Sequence, residues 1–229
     1  MSFVPPKDMS VLDNAERMSS FDAPLLDSSP DPELQALVTE ATALTGFPIG
    51  LVSLVVRKIQ FFRAQVGLPP DLSATLATDR CTSFCQFVVA RGGPLEIEDT
   101  SREPGLPRDL VERYGIRAYV GFPLKVRGQT VGSFCVIGAQ PARLTAEVLT
   151  KLEQLAGRAS ARLETLACQT PAPASGSEAE EKARNAWLAV AEAQPLLSLS
   201  ERFADGQMSF EEFQRSLGAL AGLTDPSSD

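Results

Sequence analysis

The sequence predicts an α+β fold, an antiparallel sheet flanked by helices with a small helical hairpin appended at the C-terminus. Three observations carry this. Two pairs of β-rich runs are each joined by about two residues, the spacing of hairpins. Around them, stretches with apolar residues at spacings of three and four start at Asp, Ser or Thr and stop at Gly. Finally, the stretch 169–177, rich in Pro, Ala, Gly and Ser, has no anchoring side chain and reads as a flexible linker. It divides residues 1–168, one sheet-containing domain, from an acidic helical extension over 178–229.

Residues 1–7 read as a disordered arm. From Asp8 to Ser20, Val11, Leu12, Ala15 and Met18 mark a short amphipathic helix with Asp8 or Ser10 as its cap. Asp31-Pro32 places a strong N-cap before a proline at the first helical position. Leu34, Leu37, Val38, Ala41 and Leu44 then form a buried stripe that stops at Gly46. Ile49–Val56 and Ile59–Val66 form a hairpin across Arg57-Lys58, and residues 67–78 form a loop. Asp79 caps a helix from Arg80 to Ala90, ended by Gly92-Gly93, and Leu95–Ile97 is a brief strand. A polar loop over 99–107 and a helical turn over 107–114 lead to the central hairpin within Ile116–Gly138.

In that hairpin Gly128-Gln129 fits a two-residue turn with glycine at its first central position. With Arg127 facing Thr130, Phe122 falls beside Cys135 and Leu124 beside Ser133. Both faces are apolar, so both must be covered. Thr145 opens the longest helix, to about Ala167, and beyond the linker Glu178–Gln194 and a Ser209-capped segment form the terminal hairpin.

The hydrophobic fraction of 44% permits a sizeable core. No apolar run reaches the roughly 18 residues of a membrane span, and the first ten residues lack the apolar stretch of a signal peptide. A soluble, cytoplasmic protein is expected, with its four cysteines reduced. Of the net charge of −8, residues 178–229 carry −6, with 10 acidic and 4 basic side chains. This balance lacks the footprint of a nucleic-acid binder. The acidic tail is either a solvated helix face or a surface for a basic partner.

The run IRAYVGFPL followed by VGSFCVIG resembles the central hairpin of GAF domains, the small ligand-sensing modules of bacterial signalling proteins. ERMSSFDAPLLDSSPDPELQALVTEATALTGFPIGLVSLVV, TSFCQFVVA and PLEIEDTSREP precede it in the order and spacing of that family, so the resemblance runs from about Asn14 to Leu166. It implies a non-catalytic sensory or regulatory module that binds a small molecule and acts through a partner signalling protein. It also implies a pocket between the sheet and the loops covering one face. Its candidate wall is Phe62, Phe84, Cys85, Asp99, Tyr119, Phe122 and Cys135, all of which also have a plain packing reading; Asp99 alternatively caps its turn through Thr100 and Ser101. The segment FADGQMSFEEFQRSL resembles the short C-terminal helical hairpins called SHOCT.

Chemistry is bounded by the absence of histidine. There is no Ser-His-Asp or Cys-His nucleophile system, no HExxH zinc site and no histidine-ligated haem. Phosphate-loop and dinucleotide fingerprints are missing, as is the Asn-Lys-Phe-Asp-Glu signature of cyclic-nucleotide-binding relatives. Phe87 stands where bilin-binding relatives carry histidine, and the calcium-loop reading of DGQMSFEEF fails because Phe203 falls on a ligand position. No metal and no cofactor is expected. The competing enzymatic reading is a thiol redox activity, of the kind found in free methionine sulfoxide reductases, using Cys81 and Cys85. Four residues apart on one helix, they would share a face, with Arg80 lowering the Cys81 pKa. The alternative is that Cys85 is a small core residue.

For assembly, Leu149, Leu152, Ala156, Ala159, Leu163 and Leu166 alternate in steps of three and four, the narrow seam of a coiled coil. The expectation is a parallel homodimer through this helix. The alternative is a monomer whose long helix lies on its own sheet and whose tail hairpin folds back to cover the seam. Trp187, Phe203, Phe210 and Phe213 of the tail need a surface to bury them, since so small a hairpin lacks a core of its own; they are candidate partner-binding residues, the alternatives being docking on the sheet domain or on the second subunit.

Overall fold

The computed structural model describes residues 3–168 apart from Ala23 and Pro104. The linker, the terminal hairpin and Trp187, Phe203, Phe210 and Phe213 lie outside the described residues. One six-stranded sheet organises the rest: β1 (Ile49–Val56), β2 (Ile59–Val66), β3 (Ala77–Asp79), β4 (Leu95–Ile97), β5 (Ala118–Val126) and β6 (Gln129–Gly138). Their spatial order is β3-β2-β1-β6-β5-β4, and every neighbouring pair is antiparallel. The helices are α1 (Ala15–Met18), α2 (Pro32–Thr45), α3 (Pro70–Thr75), α4 (Cys85–Arg91), α5 (Arg108–Tyr114) and α6 (Ala146–Cys168). Among the described residues no helix is long and apolar enough to cross a membrane.

The sheet separates two cores. On one face α2 and α6 pack Leu34, Leu37, Val38, Leu152, Leu155 and Leu163 against Val120, Phe122, Leu124, Phe134 and Val136. On the other, the N-terminal segment and α4 cover Leu51, Phe62, Tyr119, Cys135 and Ile137. Each fully buried leucine contributes about 1.5–3 kcal/mol from apolar area alone.

α2 obeys its capping signals: Asp31 Oδ1 accepts from the Leu34 N–H at 2.9 Å, and Gly46 ends the helix at φ +70°. The first hairpin turns at Arg57, with Val56 paired to Ile59. The N-terminus departs from expectation. Phe3 is packed, its ring 5.1 Å from that of Phe87. The helix expected over 8–20 is a 3-10 turn (Ser10–Asp13) followed by α1, because Asn14 breaks it and caps the second piece, accepting from the Glu16 and Arg17 N–H groups. Val11 is exposed, and the buried residues are Leu12 and Arg17. Arg17 donates to the carbonyls of Leu12 and Val55, fastening α1 to the end of β1.

Residues 67–78 also hold more structure than the loop expected there, namely α3 and the start of β3. Six helical residues are too few to show a period.

The central hairpin turns one residue earlier than expected. Val126 pairs with Gln129, and Arg127 (φ +51°) and Gly128 (φ +76°) are both left-handed, as a type I′ turn requires. A bulge then intervenes, since Lys125 faces Thr130 but Leu124 faces Gly132, leaving Val131 over. Beyond it Phe122 pairs with Phe134, and Gly121 pairs with Cys135. Turn and bulge together displace the expected register by one residue, and a one-residue slip exchanges the faces. Phe122 therefore points to the α2/α6 core, away from Cys135.

The tip of this hairpin is tied to the end of α6. The Lys125 N–H donates to Ser160 Oγ at 3.1 Å and the Arg127 N–H to Glu164 at 2.7 Å. Arg127 Nη2 donates to the Ala167 carbonyl at 3.0 Å and to Asp22 at 2.9 Å.

Leu152, Ala156, Ala159, Leu163 and Leu166 are all buried within this one chain, and Leu149 is half-buried against the same core. The expected dimer seam is thus occupied by the chain's own sheet and α2. The alanines at 156 and 159 allow close approach of these elements, which a coiled-coil reading assigns to a second helix.

Candidate functional site

β1, β2, β5 and β6 each send polar or sulfur side chains to one place beneath α4. The helix expected over 80–90 is interrupted: Arg80–Thr82 form a 3-10 turn, and Ser83 is extended (ψ 138°). Asp79 caps the first piece through the Cys81 N–H at 2.9 Å, and Ser83 Oγ accepts from the Cys85 N–H at 3.0 Å. The break separates the two cysteines. Cys81 is exposed, while Cys85 is buried at the first turn of α4.

The nearest thiol to Cys85 is that of Cys135 on β6, with the two Sγ atoms 3.8 Å apart. The Tyr119 hydroxyl donates to Cys85 Sγ at 3.5 Å and lies 3.1 Å from Ser133 Oγ. Gln60 Nε2 donates to the same sulfur at 3.4 Å. Ser53 is fully buried beside Ser133, its strand partner, and its hydroxyl has no hydrogen-bond partner of good geometry. The Tyr119 ring stacks on Phe84, centroids 5.2 Å apart. Room for it comes from Gly121, where a Cβ would stand 2.4 Å from the Tyr119 hydroxyl oxygen and 2.8 Å from Ser133 Oγ.

These groups order the two thiols. Hydrogen bonds from Cys135 above all, and also from Tyr119, draw the Cys85 pKa down against the opposing effect of burial. Cys135, as donor to that sulfur and equally buried, is pushed well above the usual thiol range. Burial first, and then the adjacent sulfurs, raise Tyr119 so that it stays protonated and keeps donating. Cys81 behaves oppositely to the expectation from Arg80. Crowding around its sulfur and the Asp79 carboxylate, which accepts from Sγ at 3.0 Å, push it up to about 11. Arg80 is itself held by Asp13 at 2.8 Å.

A cavity of about 40 Å³ opens beside this cluster. Its wall includes Gln60, Phe62, Ser83, Phe84, Cys85 and Tyr119, together with Leu68 and Pro69 from the segment before α3, Leu72 from α3 and Tyr114 from α5. Of the expected wall, Phe62, Phe84, Cys85 and Tyr119 line the cavity, and Cys135 stands behind Cys85. Phe122 lies on the opposite face of the sheet. Asp99 caps the 3-10 turn Thr100–Arg102, accepting from Ser101 N–H at 3.1 Å and Ser101 Oγ at 2.8 Å, and pairs with Arg117 at 3.1 Å. Those Ser101 hydrogen bonds and Arg117 hold its carboxyl below the ordinary range. Gln60, Ser83, Ser133 and Gly121 were missed by sequence reasoning. The signal for Ser133 was there, a serine and a cysteine two apart on one face of an apolar strand.

A second, wider cleft of about 310 Å³ lies between α1, the end of α4 and the Gly128 turn, lined by Arg17, Arg91 and Thr130 among others. Among the described residues no group of three or more His, Cys, Asp or Glu is placed to hold a metal ion.

Comparison with known proteins agrees with this architecture. A stretch of 147 residues, 62% of the chain, is 34% identical to a cyclic di-GMP phosphodiesterase of Pseudomonas aeruginosa, and it spans 24% of that protein. In three dimensions the GAF domain/HD domain protein of Geobacter sulfurreducens superposes with a TM-score of 0.51 at 14% identity, covering 62% of this chain and 95% of that one. A type II free methionine-R-sulfoxide reductase of Thermoplasma acidophilum gives 0.48 at 14% identity, covering 58% and 89%. The Geobacter likeness supports the fold alone. The GAF domain profile matches residues 29–163, more than half of the chain, and the six strands, the covering α4 and most of α6 fall in that span. The chain belongs to the GAF domain family.

Proposed function

We propose that this chain is a non-catalytic sensory module of bacterial signalling, which binds a small molecule against Cys85 and Tyr119 and passes its occupancy to a partner protein. The observation that carries the reading is the cavity itself. An otherwise apolar wall surrounds a few convergent polar groups, Gln60, Ser83 and the Tyr119 hydroxyl, which is the chemistry of a small-ligand site. At about 40 Å³ it holds little more than one water. A larger ligand enters when α3 and the segment before it move outward, since Leu68 and Pro69 of that segment and Leu72 of the six-residue α3 line the cavity and have little core of their own. The ligand so favoured is small and mostly apolar, with one polar group to meet Gln60 or Tyr119.

The similarity to a cyclic di-GMP phosphodiesterase supports a signalling context. The shared stretch is about a quarter of that protein, and the sequence of this chain holds no histidine. We assign the chain no phosphodiesterase chemistry of its own. The partner is a signalling protein, with the acidic residues 178–229 as the contact segment. The thiol redox enzyme reading through Cys81 and Cys85 is weakened, because the two side chains stand in separate elements and Cys81 is held protonated.

Native and denaturing mass spectrometry of the full chain tests the binding reading. A small molecule retained only under native conditions, and lost in a Leu72→Trp variant that fills the mouth, is the expected result. A chain that carries nothing in any preparation, or an adduct indifferent to Leu72→Trp, overturns it.

A further inference from the structure

We propose that Cys85 and Cys135 are a peroxide-responsive dithiol, which hydrogen peroxide entering the cavity converts to an intramolecular disulfide joining α4 to β6. The inference is independent of ligand binding and rests on geometry. Both thiols are buried, and their sulfurs are 3.8 Å apart on elements already packed together. A disulfide needs about 2.05 Å between sulfurs, so closure asks for an approach of roughly 1.8 Å. Cys85 opens α4 after the N-cap Phe84, two residues past the extended Ser83, where a short helix end can give.

Access favours small oxidants. Cys85 lines a cavity with room for about one water, which suits a molecule the size of hydrogen peroxide without the outward movement of α3 that a larger molecule needs. The surroundings are also wrong for plain packing. A cysteine serving only as a small core residue needs apolar neighbours, yet Gln60 and Tyr119 aim donors at Cys85 Sγ and Ser133 backs Tyr119. Buried polar groups are costly unless each is used, and here they converge on one sulfur.

The chemistry closes in two steps. Cys85 sulfur attacks one oxygen of hydrogen peroxide and the O–O bond breaks. The departing hydroxide takes up the Cys85 proton as water, leaving a sulfenic acid on Cys85. Cys135 sulfur then attacks Cys85 Sγ, the S–O bond breaks, and that hydroxide leaves as water with the Cys135 proton. Two thiols are oxidised by two electrons, one peroxide is reduced, and two waters result. The new bond ties the cavity wall to the sheet centre, so oxidation and the shape of the cavity change together.

The test uses the full chain with Cys81→Ser and Cys168→Ser, two exposed positions, leaving Cys85 and Cys135 as its thiols. The folded protein is treated with equimolar hydrogen peroxide, quenched in acid, unfolded and alkylated. The expected result is loss of both alkylatable thiols together, a mass lower by two hydrogens, and a peptide pair linked through Cys85 and Cys135. Adding Cys135→Ser should arrest oxidation at a Cys85 sulfenic acid captured by dimedone. If both thiols survive in the folded protein while the urea-unfolded chain loses them, or if sulfenic acid builds up with Cys135 present and no link forms, the proposal is overturned. Should the Cys135→Ser chain fail to fold, the link in the double variant decides alone.

Discussion

Arg162 of α6 holds Asp31, the cap of α2, through two nitrogens, with Nη2 2.8 Å and Nε 3.1 Å from Oδ2. The other carboxylate oxygen accepts from the Leu34 N–H, so one buried side chain serves as helix cap and interhelical clamp at once. Burial alone would raise its pKa, but the hydrogen bonds from Arg162 and Leu34, with Arg162 and Arg63 as nearby charges, outweigh it and hold it below the usual value.

Asp31→Asn keeps a capping oxygen and removes the charge. Arg162 retains Glu33 at 3.5 Å, so a loss of about 1–2 kcal/mol at pH 7 is expected. A depressed carboxylate stabilises the fold above its unfolded pKa of about 4, and this is lost as pH falls through the folded value. The gap between wild type and Asp31→Asn in urea unfolding should therefore be full at pH 6 and shrink below about pH 4. A gap that is constant with pH would show that the charge is not what matters.

Tyr119→Phe removes the hydroxyl that donates to Cys85 and leaves Ser133 without that partner. We expect Cys85 to ionise about one pH unit higher, read from thiolate absorbance in a chain lacking Cys81 and Cys168, with a stability loss of about 1 kcal/mol. An unchanged titration would mean that Tyr119 does not tune the sulfur.

At Gly121 a methyl group would meet the Tyr119 hydroxyl and Ser133 inside contact distance. Gly121→Ala should cost about 1–3 kcal/mol and shift the near-ultraviolet circular dichroism of the Tyr119–Phe84 stack. Wild-type stability with an unaltered spectrum would contradict the close approach.

Leu163→Ala empties a fully buried position between α6, α2 and the sheet. A loss of about 2–5 kcal/mol is expected, the same at low and high protein concentration, because the contacts lie within one chain. A penalty that grows on dilution would instead place Leu163 between subunits.

The capped elements were legible in the sequence. Asp31-Pro32 with Gly46, and the two β-rich runs around Arg57-Lys58, act locally, and the bounds read from them match the structure. The face of Phe122 was not legible, since a bulge at Val131 leaves no mark in an alternating strand yet reverses the pairing of every residue beyond it. The Cys85–Cys135 contact joins residues 50 apart and depends on that register, whereas the Cys81–Cys85 spacing presumed an unbroken helix where Ser83 is extended. The α6 stripe was ambiguous as a dimer signal for another reason. An apolar seam looks the same in sequence whether a second helix or the chain's own sheet fills it.

On the proposed reading, the ties between Arg127 and the last turn of α6 would give the domain a mechanical output. Tyr119 and Cys135, the residues that touch or back the cavity, sit on the same two strands whose tip is bolted to Ser160, Glu164 and Ala167. A shift of that hairpin, driven by a filled cavity or a closed disulfide, would act as a crank on the terminal turns of α6. Those turns end at Cys168, ahead of residues 169–177 and the acidic stretch 178–229, so on that reading a signal would have a route of two strands and one helix end along which to leave.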